Sequence, residues 1–105
     1  MIGKETRDKI AFEKKRTKKI NEILDILQEE CGEVITAISK CRRFGMENTY
    51  KDGGTQREHL TQELGDVSLL IELLHAYQLF SATELNQAKL NKAAKLTKWS
   101  TIYKD

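Results

Sequence analysis

Apolar residues recur at helical spacing along most of this chain. Over residues 20–41 they fall three or four positions apart, as on one face of an α-helix: Ile20, Ile23, Leu24, Leu27, Cys31, Val34, Ile35, Ile38 and Cys41. Gly45 follows two arginines and is typical of a helix end, because glycine suits this position and cations favour the last turn. Residues 4–19 are strongly charged, and their period is too weak to distinguish an exposed helix from a frayed segment.

Two further helices are predicted after a loop at residues 45–54. The first begins with Thr55 and Glu58, and the second with Ser81 and Glu84. Both pairs match the capping box, in which a hydroxyl and a carboxylate three residues later satisfy the first free backbone amides. The sequence therefore predicts three firm helices, with a fourth possible at the N-terminus.

The second predicted helix lacks a polar face over much of its length. It is expected to run to residues 77–79, and beyond Asp66 it is apolar nearly all round. Such a helix is normally buried on more than one side, and in so short a chain a partner subunit is the natural cover. The predicted fold class is all-α: a bundle of three to four helices per chain, completed by dimerisation.

Composition supports this fold and limits the partners. A chain of 105 residues without proline and with only six glycines suits one small helical domain. The net charge is +2, but residues 1–20 carry a balance of +5 and the rest a balance of −3. We divide the chain into a basic N-terminal extension (1–19) and an all-α domain (20–105). Acids interleave with the basic residues, which favours a solvated helix over a nucleic-acid site.

The expected location is the cytoplasm. The N-terminus is charged from Lys4 onward and has no apolar core of signal-peptide length, and no run approaches the ~20 apolar residues of a membrane span. Cys31 and Cys41 share one predicted helix, where their Cα atoms would lie about 15 Å apart, beyond disulfide reach. Both are therefore expected to be small buried residues in a reducing compartment.

Two short acidic motifs carry the chemistry. Glu30 and Glu33 enclose Cys31-Gly32, and Glu63 and Asp66 enclose Leu64-Gly65. Residues three apart share a helix face, so two such helices packed together could converge four carboxylates. A single motif of this kind is common on solvated helices. Two matched motifs beside apolar faces, each with a central glycine, instead favour a site for a hard divalent cation such as Mg²⁺.

These motifs resemble the signature of the all-α nucleotide pyrophosphohydrolases, which include MazG, dimeric dUTPase, dCTP pyrophosphatase and phosphoribosyl-ATP pyrophosphohydrolase. The fuller similarity is to small MazG-like proteins often found in phage, and it covers about residues 20–100. It rests on residues 27–34, 37–40, 43–45, 58–67 and 94–100. The first 19 residues lie outside the similarity, and the connection at 46–57 differs among members.

The resemblance implies an enzyme that hydrolyses a nucleoside triphosphate, expected to be a dNTP, to the monophosphate and pyrophosphate. It also implies that Glu30, Glu33, Glu63 and Asp66 are ligands of Mg²⁺, for which Mn²⁺ is an expected substitute. A carboxylate whose oxygens do not all coordinate the metal could accept a proton from the attacking water. We assign that catalytic role to Glu33 or Glu30.

Five further residues are candidates for binding the substrate. Lys92 and Lys95 stand on or beside the apolar stripe of the third helix, where a lysine either extends to solvent or neutralises phosphate oxygens. Lys40 and Arg43 follow the first acidic motif and are candidates for the same task. Trp99 either stacks on a base or closes a core or a subunit interface.

Two other functions are compatible with the sequence. One is a helical regulator that binds metal or nucleotide without turnover, and the other is a nucleic-acid-binding protein that uses the basic N-terminus.

The expected partners are the triphosphate and further copies of the chain in a homodimer or homotetramer, with no membrane. If the chain is phage-encoded, the location is the host cytoplasm. The acidic motifs do not encode base or sugar preference.

Overall fold

The computed structural model describes residues 2–49, 51 and 53–105. It contains three helices: α1 (Lys4–Phe44), α2 (Gln56–Ala76) and α3 (Ala82–Trp99). No strand is present in this part of the chain apart from an isolated bridge between Thr49 and Thr55, and the all-α prediction is confirmed. Within the predicted loop, Tyr50 and Asp52 lie outside the described residues, as does Met1 of the predicted extension.

The first helix is longer than its apolar pattern alone indicated. Residues 4–19 are helical and continue without a break into the predicted domain, so α1 has 41 residues. The division between residues 1–19 and 20–105 is not marked by a turn, and it stays a prediction. Gly45 ends α1 with φ +91°, a conformation that glycine adopts readily, and its N–H donates to the Cys41 carbonyl.

α1 and α2 pack as an antiparallel pair. Arg16 on α1 donates from Nη1 to the carbonyls of Tyr77 (3.0 Å) and Gln78 (3.2 Å), just past the end of α2. The guanidinium thereby satisfies backbone acceptors that a helix terminus leaves free.

The core lies between these two helices and is small. Ile20 and Ile23 of α1 are buried against Leu70 and Leu74 of α2. Half-buried apolar residues surround this group: Leu27, Leu73, Tyr77 and Phe80. The radius of gyration is 19.3 Å, whereas a compact chain of this length has about 13 Å. The single chain therefore leaves much of its apolar surface uncovered.

Part of the predicted apolar face of α1 is exposed. The residues concerned form the α1 apolar stripe, defined as Leu24, Cys31, Ile35 and Ile38, and Ile35 is 69% exposed. Cys41 is buried as expected, but the prediction of a buried Cys31 is wrong. The stripe adjoins the part of the face that carries Ile20 and Ile23, which pack against Leu70 and Leu74 of α2.

α3 is attached loosely to the other two helices. None of its residues is buried, although Leu85 and Leu96 are partly covered. Trp99 is 77% exposed, so it does not close a core within this chain.

Within the described part of the chain, none of the three helices combines the length and the apolar content needed to cross a membrane.

The capping box of α3 predicts a pH-dependent helix start. The Ser81 N–H donates to Glu84 Oε1 (2.8 Å) and the Glu84 N–H donates to Ser81 Oγ (3.1 Å). The hydrogen bond from the Ser81 backbone, followed by the contact with its side chain, holds the pKa of Glu84 below its usual value. The stabilisation is therefore present above the pKa of the unfolded chain and is lost as pH falls through the lowered pKa.

Glu84→Gln tests this effect, because glutamine keeps the shape but cannot ionise. We expect amide hydrogen-exchange protection in the first turn of α3 to be higher in the wild type at neutral pH. The difference from the variant should disappear in acid, where Glu84 is protonated. A difference that is constant with pH would contradict the assignment.

Candidate metal centre

Three acidic side chains converge between α1 and α2. Glu30 of α1 and Glu63 and Asp66 of α2 each place one carboxylate oxygen within 4.8 Å of the other two. All three residues are partly buried. The antiparallel pairing that puts Ile23 against Leu70 also sets Glu30 opposite the second acidic motif. The structure thus brings together three of the four predicted metal ligands.

The electrostatics of this group disfavour three separate negative charges. The pKa of Glu30 is raised, first because burial disfavours its ionised form and then because Asp66 carries a like charge nearby. A hydrogen bond with Glu63 and the charges of Glu63 and Glu29 act in the same direction. A divalent cation would relieve this repulsion.

Two polar residues of α2 contact the carboxylates from one turn earlier on the helix. His59 Nε2 lies 3.7 Å from Glu63 Oε1, and Gln62 Nε2 donates to Asp66 Oδ1 at 3.1 Å. In both pairs the polar residue precedes its carboxylate by four positions, which places the two on one helix face. Sequence reasoning missed both residues, although this spacing was a usable signal.

The glycines of the two motifs leave the surface beside the site open. A Cβ atom added at Gly32 or at Gly65 would meet nothing within 4 Å among the described residues. Because glycine has no side chain, another helix, a metal or a phosphate could come close to the backbone at these two positions.

Glu33, the fourth predicted ligand, is placed differently. It is exposed and does not belong to the group formed by the other three carboxylates. It lies one turn after Glu30 on α1. Its assignment as a ligand and as a catalytic residue stays a prediction.

The predicted substrate-binding residues are spread over two helices. Lys40 is partly buried on α1, and the Arg43 guanidinium lies 5.0 Å from the centre of the Phe44 ring. Lys92 and Lys95 are exposed on α3 and form no ion pair with any described residue. α3, which carries two of these candidates, packs loosely against α1 and α2.

Trp99 is accessible at the end of the same helix. The ammonium group of Lys98 lies 5.1 Å from the centre of its ring. An exposed aromatic ring with a cation at its face is available for stacking or for an interface.

A protein-family model matches most of the chain. The model of the MazG nucleotide pyrophosphohydrolase domain family matches residues 18–99. The matched region includes both acidic motifs and most of the three helices. No curated protein and no solved structure matches the chain.

Proposed function

Because the chain belongs to the MazG nucleotide pyrophosphohydrolase domain family, we propose that it hydrolyses a deoxynucleoside triphosphate in the presence of Mg²⁺. The family supports nucleotide pyrophosphohydrolase activity in general. Our proposal goes further in naming a dNTP as the substrate and Mg²⁺ as the cation. The observation that carries it is the convergence of Glu30, Glu63 and Asp66 at one point between α1 and α2.

The donor set fits Mg²⁺. Three carboxylate oxygens from three side chains make an all-oxygen, anionic set, which is the kind that hard divalent cations prefer. When bound, Mg²⁺ would supply charge neutralisation for the triphosphate and acidity for a water molecule. Mn²⁺, which accepts similar ligands, is the expected substitute.

The chain itself would hold the reacting groups and move one proton. We assign proton acceptance to Glu33, because its exposed carboxylate lies outside the group of three and one turn from Glu30. The oxygen of a water molecule bonds to the α-phosphorus while Glu33 accepts a proton from that water. The bond between the α-phosphorus and the oxygen that bridges it to the β-phosphorus breaks, and pyrophosphate leaves. The products are the monophosphate and pyrophosphate.

Basic residues are assigned to the phosphates and an aromatic residue to the base. Lys40 and Arg43 lie on the same helix as Glu30, whereas Lys92, Lys95 and Trp99 lie on the loosely packed α3. We propose that α3 completes the site in the assembled protein, as a homodimer or homotetramer. The exposed α1 apolar stripe and the large radius of gyration support an assembly of this kind.

The test is pyrophosphate release from the common dNTPs and NTPs, first with Mg²⁺ and then with EDTA. We expect release together with the monophosphate from dNTPs, none in EDTA, and recovery on adding Mg²⁺ or Mn²⁺. Release that persists in EDTA would contradict the metal assignment, and a clear preference for NTPs would contradict the substrate.

The same preparation distinguishes the two other functions. A folded protein that binds Mg²⁺ and nucleotide without releasing pyrophosphate would be a regulator. Salt-dependent binding to DNA or RNA that is lost on deleting residues 1–19 would indicate a nucleic-acid-binding protein.

A further inference from the structure

The two carboxylates that α2 contributes to the candidate metal centre each have a polar neighbour on the same helix. Each has a nitrogen-bearing side chain four positions before it on the same helix: His59 before Glu63, and Gln62 before Asp66. In each pair the nitrogen contacts one carboxylate oxygen. Gln62 holds one oxygen of Asp66 by a hydrogen bond, and His59 lies beside one oxygen of Glu63.

We propose that His59, assisted by Gln62, is a positioning residue that orients the α2 carboxylates for the divalent cation. The inference rests on the proposed function, since it assumes that Glu63 and Asp66 bind the metal. Side chains that hydrogen-bond to metal ligands fix the direction of the ligand lone pairs. Removing such a partner typically weakens metal affinity about 10- to 100-fold.

Burial makes His59 the more important of the two. The side chains of His59 and Glu63 are only 22% and 13% exposed, so water competes little for their contact. Gln62 is exposed, and water can replace its hydrogen bond to Asp66. Loss of His59 should therefore weaken metal binding more than loss of Gln62.

His59 acts through Glu63 and is not itself a ligand of the cation. It is outside the group of three described side chains whose oxygens lie within 4.8 Å of one another. Its 3.7 Å distance from Glu63 Oε1 is longer than a hydrogen bond. We expect this contact to shorten to a hydrogen bond when the cation is bound.

The experiment measures the binding of Mn²⁺ alone, by its electron paramagnetic resonance signal, to full-length His59→Ala, His59→Gln and Gln62→Ala. We expect the dissociation constant of His59→Ala to rise about 10- to 100-fold. His59→Gln, which keeps a side-chain donor, should recover much of the affinity, and Gln62→Ala should show a smaller loss. In hydrolysis, excess Mg²⁺ should restore most of kcat to His59→Ala, because we assign His59 to the orientation of Glu63 and not to the substrate.

The matched control is His75→Ala, which removes the same residue type from an exposed position near the end of α2. It should bind Mn²⁺ like the wild type. Unchanged Mn²⁺ affinity in His59→Ala would overturn the proposal. An equal loss of affinity in His59→Ala and in the control His75→Ala would also overturn it. If His59→Ala is unfolded by circular dichroism, His59→Gln decides: near wild-type affinity supports the proposal, and a loss that excess metal does not restore overturns it.

The failure of this inference is distinguishable from that of the proposed function. If the wild type binds Mn²⁺ and hydrolyses no nucleotide, the proposed function fails, while the effect of His59 on affinity can still be measured. If the wild type hydrolyses dNTPs and His59→Ala binds Mn²⁺ normally, only the role of His59 fails.

Discussion

Glu63→Gln is expected to lower kcat/KM for nucleotide hydrolysis by about 100- to 1,000-fold without unfolding the protein. A metal ion contributes several kcal/mol to stabilising the charged transition state, and each 1.4 kcal/mol corresponds to a tenfold change in rate. Glutamine has nearly the shape of glutamate but lacks the charge that attracts the cation. The effect is therefore large although the substitution is small.

The same variant should be at least as resistant to heat as the wild type in metal-free buffer. Glu63 lies within 4.8 Å of both Glu30 and Asp66, so removing its charge relieves repulsion between like charges. Kinetics and thermal unfolding measured on one preparation check both effects. Lost activity together with a lowered unfolding temperature would instead indicate a structural role.

Glu72→Gln is the matched control, since it removes a charge from an exposed position on the same helix. Nine residues separate Glu72 from Glu63, which places it about 180° round α2. Its activity should equal that of the wild type. Wild-type activity in Glu63→Gln would refute the metal centre as we have assigned it.

Ile35→Glu is expected to turn an oligomer into a monomer. Ile35 belongs to the α1 apolar stripe and is 69% exposed in the single chain. Burying such a side chain in an interface contributes about 1.5–3 kcal/mol, and placing an unpaired carboxylate there is costly. We therefore expect the subunit dissociation constant to rise at least about 10- to 100-fold.

Sedimentation velocity over a range of protein concentrations measures this change. The matched control is Ile26→Glu: Ile26 is also exposed, at 41%, but lies about 180° round α1 among charged residues. It should leave the assembly intact. A wild type that is monomeric at all concentrations would contradict the account, and so would an Ile35→Glu protein that still assembles.

Local signals in the sequence predicted most of the helical structure. The capping residues Thr55 and Ser81 accept backbone hydrogen bonds at the starts of α2 and α3, and Gly45 ends α1. These features depend on a few neighbouring residues, so they can be read without knowing the fold. Residues 4–19 were undecided because a highly charged helix has no clear apolar period.

The partners of each helix face could not be predicted in the same way. Periodicity placed Ile23 and Ile35 on one broad face, but only packing shows that α2 covers the first and leaves the second exposed. Cys31 was misjudged for this reason. A helical period defines a direction round the axis and does not identify what lies there.

For the candidate metal centre too, the sequence predicts the residues of each motif but not all of their contacts. Spacing within each motif predicted that Glu63 and Asp66 share a face, and antiparallel packing adds Glu30. The contacts of His59 and Gln62 with these carboxylates depend on side-chain conformation, which the motif does not specify. Glu33 remains a prediction because its exposed side chain lies outside the group of three.

The most direct test of the account is phosphorus NMR of one dNTP incubated with Mg²⁺ and either the wild type or Glu63→Gln. We predict that the wild type converts the triphosphate to the monophosphate and pyrophosphate, and that the variant leaves it almost unchanged. Formation of the diphosphate and phosphate would contradict the proposed bond cleavage. Equal conversion by the two proteins would contradict the role of the three converging carboxylates.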